Sequence, residues 1–166
     1  FIKDVSDKDR MALFPDFYKK EKRALKVSKW HKPPHHLLRQ VLTMMRTPSG
    51  KSAFDNAIYK PTKKNGQIVK GYHNTYKRQD WEKPAFTITM DNVKISSQNN
   101  VHPGRYVGKD KFGDKIYSDP RVLSFYELIK LSSLPDNWSV PKGSSEAFLR
   151  RIIGEGIPPL LVRKFF

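Results

Sequence analysis

Along this chain the apolar positions fall into short runs, broken by prolines, glycines and charged residues. Phe14, Phe17, Tyr18, Leu25, Val27 and Trp30 suit a short helical face within a charged N-terminal stretch. Lys32-Pro33-Pro34 stops any helix there, because proline lacks a donor and restricts the residue before it. His35 to Met45 reads as a short strand or a short helix, and periodicity leaves the two open. Thr47-Pro48-Ser49-Gly50 is a turn. Tyr59 to Tyr76 predicts strand, turn, strand, with Asn65-Gly66 as the hairpin dipeptide and Gln67 to Tyr72 as the return. Lys83-Pro84 opens Ala85 to Met90, a run rich in β-formers. Ile95 to Val101 is polar and loop-like, and His102-Pro103-Gly104-Arg105 is another turn. Gly108 to Asp119 predicts a second hairpin.

The character then changes to helix. Ser124 can cap, Glu127 can reach back to it, and Leu123 with Leu128 can staple the entry. Leu128, Leu131 and Leu134 then point toward one side, and Pro135 ends the helix. Ser144 or Ser145 caps a second short helix through Phe148, Ile152 and Ile153, with Gly154 as its stop. Pro158-Pro159 starts a third, where proline in the first turn is accepted. The sequence shows no internal repeat and no low-complexity tract.

Composition narrows the chemistry. Among 166 residues there is no Cys, so a thiol nucleophile, a disulfide framework and a thiolate zinc site are excluded within this sequence. Hydrophobic residues make up 37%, enough for a packed core. No apolar run approaches the ~20 residues of a membrane helix, and no membrane partner is expected. No basic segment followed by an apolar stretch opens the sequence, so no signal peptide is expected. Phe stands at position 1 instead of Met, and the chain reads as a fragment or processed piece of a longer protein. The net charge is +16. Between Arg39 and Arg78 lie nine basic residues and one acidic one, with Tyr59, Tyr72, His73 and Tyr76 among them. Concentrated cations mixed with aromatics suit contact with phosphates and bases, in preference to a merely solvated basic face.

Four strings, in order, carry a resemblance. Arg121-Val122-Leu123-Ser124-Phe125-Tyr126-Glu127-Leu128, continuing to Leu134-Pro135-Asp136-Asn137-Trp138, resembles a block near the end of cytosine-5 DNA methyltransferases. Ile153-Gly154-Glu155-Gly156-Ile157-Pro158-Pro159 is similar to their last block. Trp81 to Met90 resembles the Pro-x-x-Thr-Ile-Thr entry to the second recognition loop. Asn100-Val101-His102-Pro103-Gly104-Arg105 is similar to the His-Pro that follows it. The four strings lie within about residues 46–165. The family's glycine-rich cofactor turn, Pro-Cys nucleophile, Glu-Asn-Val acid and Arg-x-Arg element have no counterpart here.

The resemblance implies the C-terminal, target-recognising half of such an enzyme. The implied fold is mixed α/β: a mostly β target-recognition lobe, then two or three short helices that complete a Rossmann-like methyltransferase domain. Residues 1–45 would connect, 46–120 recognise the target, and 121–166 complete the scaffold. The implied cofactor is S-adenosylmethionine, shared with a catalytic segment or subunit elsewhere. The implied partners are that catalytic half and duplex DNA, in the cytoplasm of a bacterium or phage-infected cell with a restriction–modification system. Two rivals remain: the DNA-binding module of a nuclease or regulator, and a basic RNA-binding or ribosomal protein.

The resemblance also implies roles for particular residues. Lys77 and Arg78 fall where the first recognition loop ends. Arg78 can fork onto guanine, and Lys77 is better suited to phosphate. Thr87 and Thr89 match the pair that begins base readout, although β-propensity also accounts for them. Ser96, Ser97, Gln98, Asn99 and Asn100 offer five adjacent polar groups for base edges, or simply form a solvated loop. His102 and Arg105 organise the loop and grip phosphate. Glu155, Gly156 and Ile157 stand where the last block touches the cofactor, with Glu155 in place of the usual Asn. Arg121 and Glu127 tie the lobe to the scaffold. His31, His35 and His36 have no Cys and no acidic pair nearby to complete a tetrahedral set, so no metal is expected. No carboxylate pair suggests a general acid and base.

Overall fold

The computed structural model describes residues 3–6, 8–9, 12, 29–135 and 137–165. The helical face expected at Phe14, Phe17, Tyr18, Leu25 and Val27 lies outside them, as do Asp136 and Phe166. The undecided stretch after Pro33-Pro34 is a helix, α1, Leu38–Met45. It buries Val41, Thr43, Met44 and Met45, with Met44 in one apolar cluster and Val41 with Met45 in another. Leu37 gives its N-terminus no side-chain cap, and Asp4 supplies one from a distance by accepting the Leu38 N–H at 2.6 Å.

The sheet is small. Strands β1 (Tyr106–Lys109) and β2 (Lys115–Tyr117) pair antiparallel, which is the second expected hairpin. The first hairpin is reduced to one bridge, Thr62 with Ile68, closed by the Lys63 N–H to the Gln67 carbonyl at 2.8 Å. The expectation of a mostly β lobe is corrected: elsewhere its segments meet only at isolated bridges. The β-rich run Ala85 to Met90 is no strand. Its Phe86 N–H donates to the Gln79 side chain at 2.9 Å, so an amide stands where a neighbouring strand would. Ile88 turns away and packs with the C-terminal helices.

Three helices follow: α2 (Phe125–Leu131), α3 (Glu146–Glu155) and α4 (Pro159–Val162). The capping box at α2 forms in full. The Ser124 side chain accepts the Glu127 N–H at 3.2 Å, and Glu127 accepts the Ser124 N–H at 2.7 Å. Leu131 is exposed instead of sharing the buried side with Leu128, and α2 ends at Leu131, before Pro135. Ser145, not Ser144, caps α3. Gly154 is not the stop but an interior position, with Gly156 as the cap. A Cβ on Gly154 would run into the Thr89 carbonyl and Met90 Cα, so the glycine serves close packing.

Two buried clusters meet at a seam. Met44, Ala53, Tyr76, Ile95, Val101 and Val122 form one, with Phe54 against it. Leu123, Phe125, Leu128, Ile129, Leu149 and Ile153 form the other, backed by Trp30 and Trp138. The extended segment around Val122 and Leu123 sends successive side chains to opposite sides. It bridges to Val101, which also bridges to Arg78. The class is therefore mixed α/β, with a short extended seam between lobe and helices.

Candidate nucleic-acid interface

Arg78 organises the lobe from inside. It is fully buried, and its guanidinium donates to the carbonyls of Met44 (2.8 Å), His102 (2.7 Å) and Asp119 (3.0 Å). Burial pulls its pKa down to about 9, which still leaves it charged at neutral pH. A fork onto guanine is not available from that position. The residue joins α1, the His102 turn and the end of the second hairpin. Gly104 makes room: at φ +65° it occupies the left-handed region, and a Cβ there would strike the Arg78 guanidinium and the Ser118 carbonyl.

The polar loop is held from below. Gln79 donates to the Asn99 carbonyl, and the buried Asn100 donates to the Lys94 carbonyl at 2.9 Å. Thr75 bridges to Gln98. Gln98 is exposed, while Ser96, Ser97 and Asn99 are half-buried. Asn99 sits at φ +49°, a left-handed conformation that Asn tolerates at some cost. The side-chain oxygens of Asn74, Ser97, Asn99 and Asn100 are buried without a hydrogen-bond partner in the protein. Strain and unmet polar groups concentrate where a loop serves function more than stability.

Around this loop stand cations and aromatics. The Lys77 ammonium lies over the Phe86 ring at 4.2 Å. Arg105 is exposed, with its guanidinium over the Trp81 ring at 4.4 Å. The Trp81 indole N–H donates to the Gly104 carbonyl. His102 is half-buried, and its Nδ1 accepts the Gly104 N–H at 3.0 Å. Burial pushes its pKa down to about 4, so it is neutral. Thr87 is exposed and Thr89 half-buried. Of the candidate readers, Thr87, Gln98 and Arg105 thus present side chains to solvent, whereas Arg78 and Asn100 do not.

Two ion-pair assemblies fix the lobe to the helices. Arg121 forks onto Glu127 at 2.8 and 2.9 Å, the geometry of a strong bidentate pair. Arg150 was missed by sequence reasoning. It is buried on α3 and donates to Glu146 (2.7 Å), the Leu123 carbonyl (2.9 Å) and the Asn92 carbonyl (3.3 Å). Asn92 returns a bond to the Arg150 carbonyl at 3.0 Å. Nothing in the local sequence marks an arginine for burial. The histidines considered for metal have other uses: His31 stacks on Tyr126 at 4.2 Å, and His36 accepts the Val122 N–H at 3.2 Å.

At the chain's other end, Gly156 and Ile157 border an apolar cavity of about 100 Å³ with Leu134, Trp138 and Pro159. Glu155 is exposed and paired with Arg151 at 2.8 Å. That volume is well below the several hundred Å³ of a whole cofactor site.

A family model described as C-5 cytosine-specific DNA methylase matches residues 4–166. The chain is similar to "Type II methyltransferase M1.HgaI" of Avibacterium volantium, at 52% identity over 134 residues. The alignment covers 81% of this chain and 36% of that relative, so the chain spans about a third of the relative's length. No solved structure matches.

Proposed function

Because the chain belongs to the C-5 cytosine-specific DNA methylase family, we propose that it is the target-recognising portion of a cytosine-5 DNA methyltransferase, with the reactive thiolate carried by another segment or subunit. The observation that carries this reading is the family match over a sequence that contains no Cys. Carbon 5 of cytosine is a poor nucleophile until a thiolate adds to carbon 6. Covalent catalysis of that kind needs a nucleophile these 166 residues lack. What they do hold is a grip on DNA and a frame for sequence readout.

The division of labour follows from exposure. Gln98 offers a bidentate amide for adenine, and Thr87 a hydroxyl and methyl for neighbouring base edges. Lys77 and Arg105 contact phosphates, which set register without reading sequence. Ser96, Ser97, Thr89, Asn99, Asn100 and His102 shape the loop, and Arg78 holds it from beneath. The target cytosine leaves the duplex to be reached, so the lobe has to hold the surrounding DNA while that happens. S-adenosylmethionine, when bound, supplies the methyl group, and Gly156 and Ile157 form part of its wall. The exposed apolar side chains Phe148, Ile157, Leu160, Leu161 and Phe165 suit packing of α3 and α4 against the catalytic portion, where they complete a Rossmann-like domain. The setting is restriction–modification in the cytoplasm of a bacterium or phage-infected cell.

A chimera tests this. Residues 4–166 replace the matching segment of the Avibacterium relative, and transfer of tritiated methyl to duplex DNA is measured. Methylation that follows the donor of this segment in its target sequence is expected. Duplex binding without restored transfer would favour a binding module with no methylation role, and preference for RNA over duplex DNA would remove the reading altogether.

A further inference from the structure

A cleft of about 440 Å³ opens between the 46–59 segment and the β1–β2 hairpin. Its inner network is closed on itself. Arg46 lies over the Tyr59 ring at 3.9 Å and donates to Asp110 at 2.7 Å. The Tyr59 hydroxyl donates to Asp114 at 2.7 Å. Asp55, also on the lining, accepts the Ser52 N–H at 3.2 Å and pairs with His73 at 3.0 Å. Both lining carboxylates thus accept hydrogen bonds from their own side of the cleft or across it, and Arg46 is held as a brace between Tyr59 and Asp110.

Two cations remain at the rim, one from each side. Lys51 and Lys115 line the cleft and are exposed, and among the described residues neither has an ion pair. Their backbones are fixed. The Lys51 N–H donates to the Pro48 carbonyl, and its own carbonyl accepts the Arg78 N–H at 3.0 Å. Lys115 is in register with Lys109 on the hairpin. Two lysines on fixed backbones, lining one trough, suit a diester anion. A lone solvated lysine would need no such frame.

We propose that this cleft seats a phosphodiester of duplex DNA, gripped by Lys51 on one side and Lys115 on the other, with the bonds of Arg46 to Asp110 and of Tyr59 to Asp114 tying the two sides together beneath it. The proposal rests on the recognition role above and adds a phosphate subsite to it. Neither lysine reads a base. Each fixes where the backbone runs beside the recognition loop.

The test is duplex binding by the full-length protein that carries this chain, titrated across salt. Each of Lys51→Ala and Lys115→Ala is expected to weaken binding about 3- to 10-fold near 0.1 M salt. Each also lowers the slope of log affinity against log salt by about 0.9, and preference among duplex sequences stays unchanged. Lys51→Arg and Lys115→Arg keep the slope. Lys63→Ala, at the tip of the first hairpin, controls for the general field and leaves the slope as it was. If DNA still binds but the two alanine variants match Lys63→Ala, the cleft is not the subsite. If the unaltered protein fails to bind duplex DNA, the recognition reading itself falls.

Discussion

The N-terminal lobe, up to residue 120, and the helical tail are built by opposite means. In the tail, helices begin where local chemistry starts them: a capping box at Ser124, a cap at Ser145, proline at the first turn of α4. In the lobe, regular structure is confined to one short hairpin, isolated bridges and a single capped 3-10 turn at Ala53–Asp55, and most of the order comes from polar side chains that reach far along the chain. Arg78 ties together carbonyls 24, 34 and 41 residues away. A region stapled by a few internal polar bonds leaves its outer side chains free to vary. That is what the proposed role in distinguishing sequences would require of a surface, whereas the tail needs only to hold a fixed shape.

The largest effect that would test this contrast is loss of the lobe's staple. Arg78→Met should destabilise the protein by about 4 kcal/mol, because it removes three charge-assisted bonds from the interior and takes the donor from the His102 carbonyl, while the Met44 and Asp119 carbonyls keep the Thr47 and Arg121 N–H groups. Amide hydrogen exchange should rise across residues 74–105, with less change in α2 and α3. Equal loosening of lobe and tail would erase the distinction.

Mild acid should act in the same direction. Burial pushes His36 to about 3 and His102 to about 4, against an ordinary 6.5. Below pH 6.5 the unfolded chain then binds more protons than the folded one. Stability is complete above about 6.5 and falls as pH drops toward 4, by up to ~1.4 kcal/mol per pH unit for each histidine. At Glu127, burial opposes ionisation, but the Arg121 fork outweighs it and holds the carboxyl below its usual range. The anchor of α2 therefore persists into stronger acid than the lobe does. Urea midpoints from pH 7.5 to 5 measure this, and His102→Asn should flatten the decline. A midpoint that is flat over that window would contradict the burial of both rings as neutral acceptors.

Where lobe and tail touch, the fit is steric. Gly154→Ala should cost about 2 kcal/mol by overpacking, since the added methyl meets the Thr89 carbonyl and Met90 Cα. Alanine favours helix over glycine by about 1 kcal/mol, so an isolated α3 would gain from the change. Measured stabilisation would mean that the 85–90 run does not rest on α3.

Legibility divides along the same line. Ser124 with Glu127, the Ser145 cap of α3 and the prolines that open α4 are local signals, and they stand in the structure as the sequence implies, whereas the stop expected at Gly154 falls at Gly156. The second hairpin was legible from its glycines and charges. Ala85 to Met90 misled, because β-propensity describes a preference for a partner strand and here the partners are a glutamine side chain and a helix glycine. The burial of Arg78 and Arg150 was not legible, since each is fixed by carbonyls distant in sequence. For the same reason Lys51 and Lys115 do not read as neighbours: 64 residues separate them and only the hairpin brings them to one cleft.

The smallest effect compares two caps within the tail. Ser124 is buried and takes part in a reciprocal pair, since its N–H is bound by Glu127 and Glu127 is itself held by Arg121. Ser145 is exposed and makes a single bond, accepting the Phe148 N–H at 3.2 Å. Ser124→Ala leaves a donor of α2 without its acceptor beside the seam, where water does not readily replace it, and should cost about 1 kcal/mol. Ser145→Ala exposes the same kind of donor to solvent and should cost roughly half that. Thermal unfolding of the two variants separates the cases. If both lose the same stability, the tail's helices owe their starts to sequence-local capping alone, and the connection of α2 through Glu127 and Arg121 adds nothing to it.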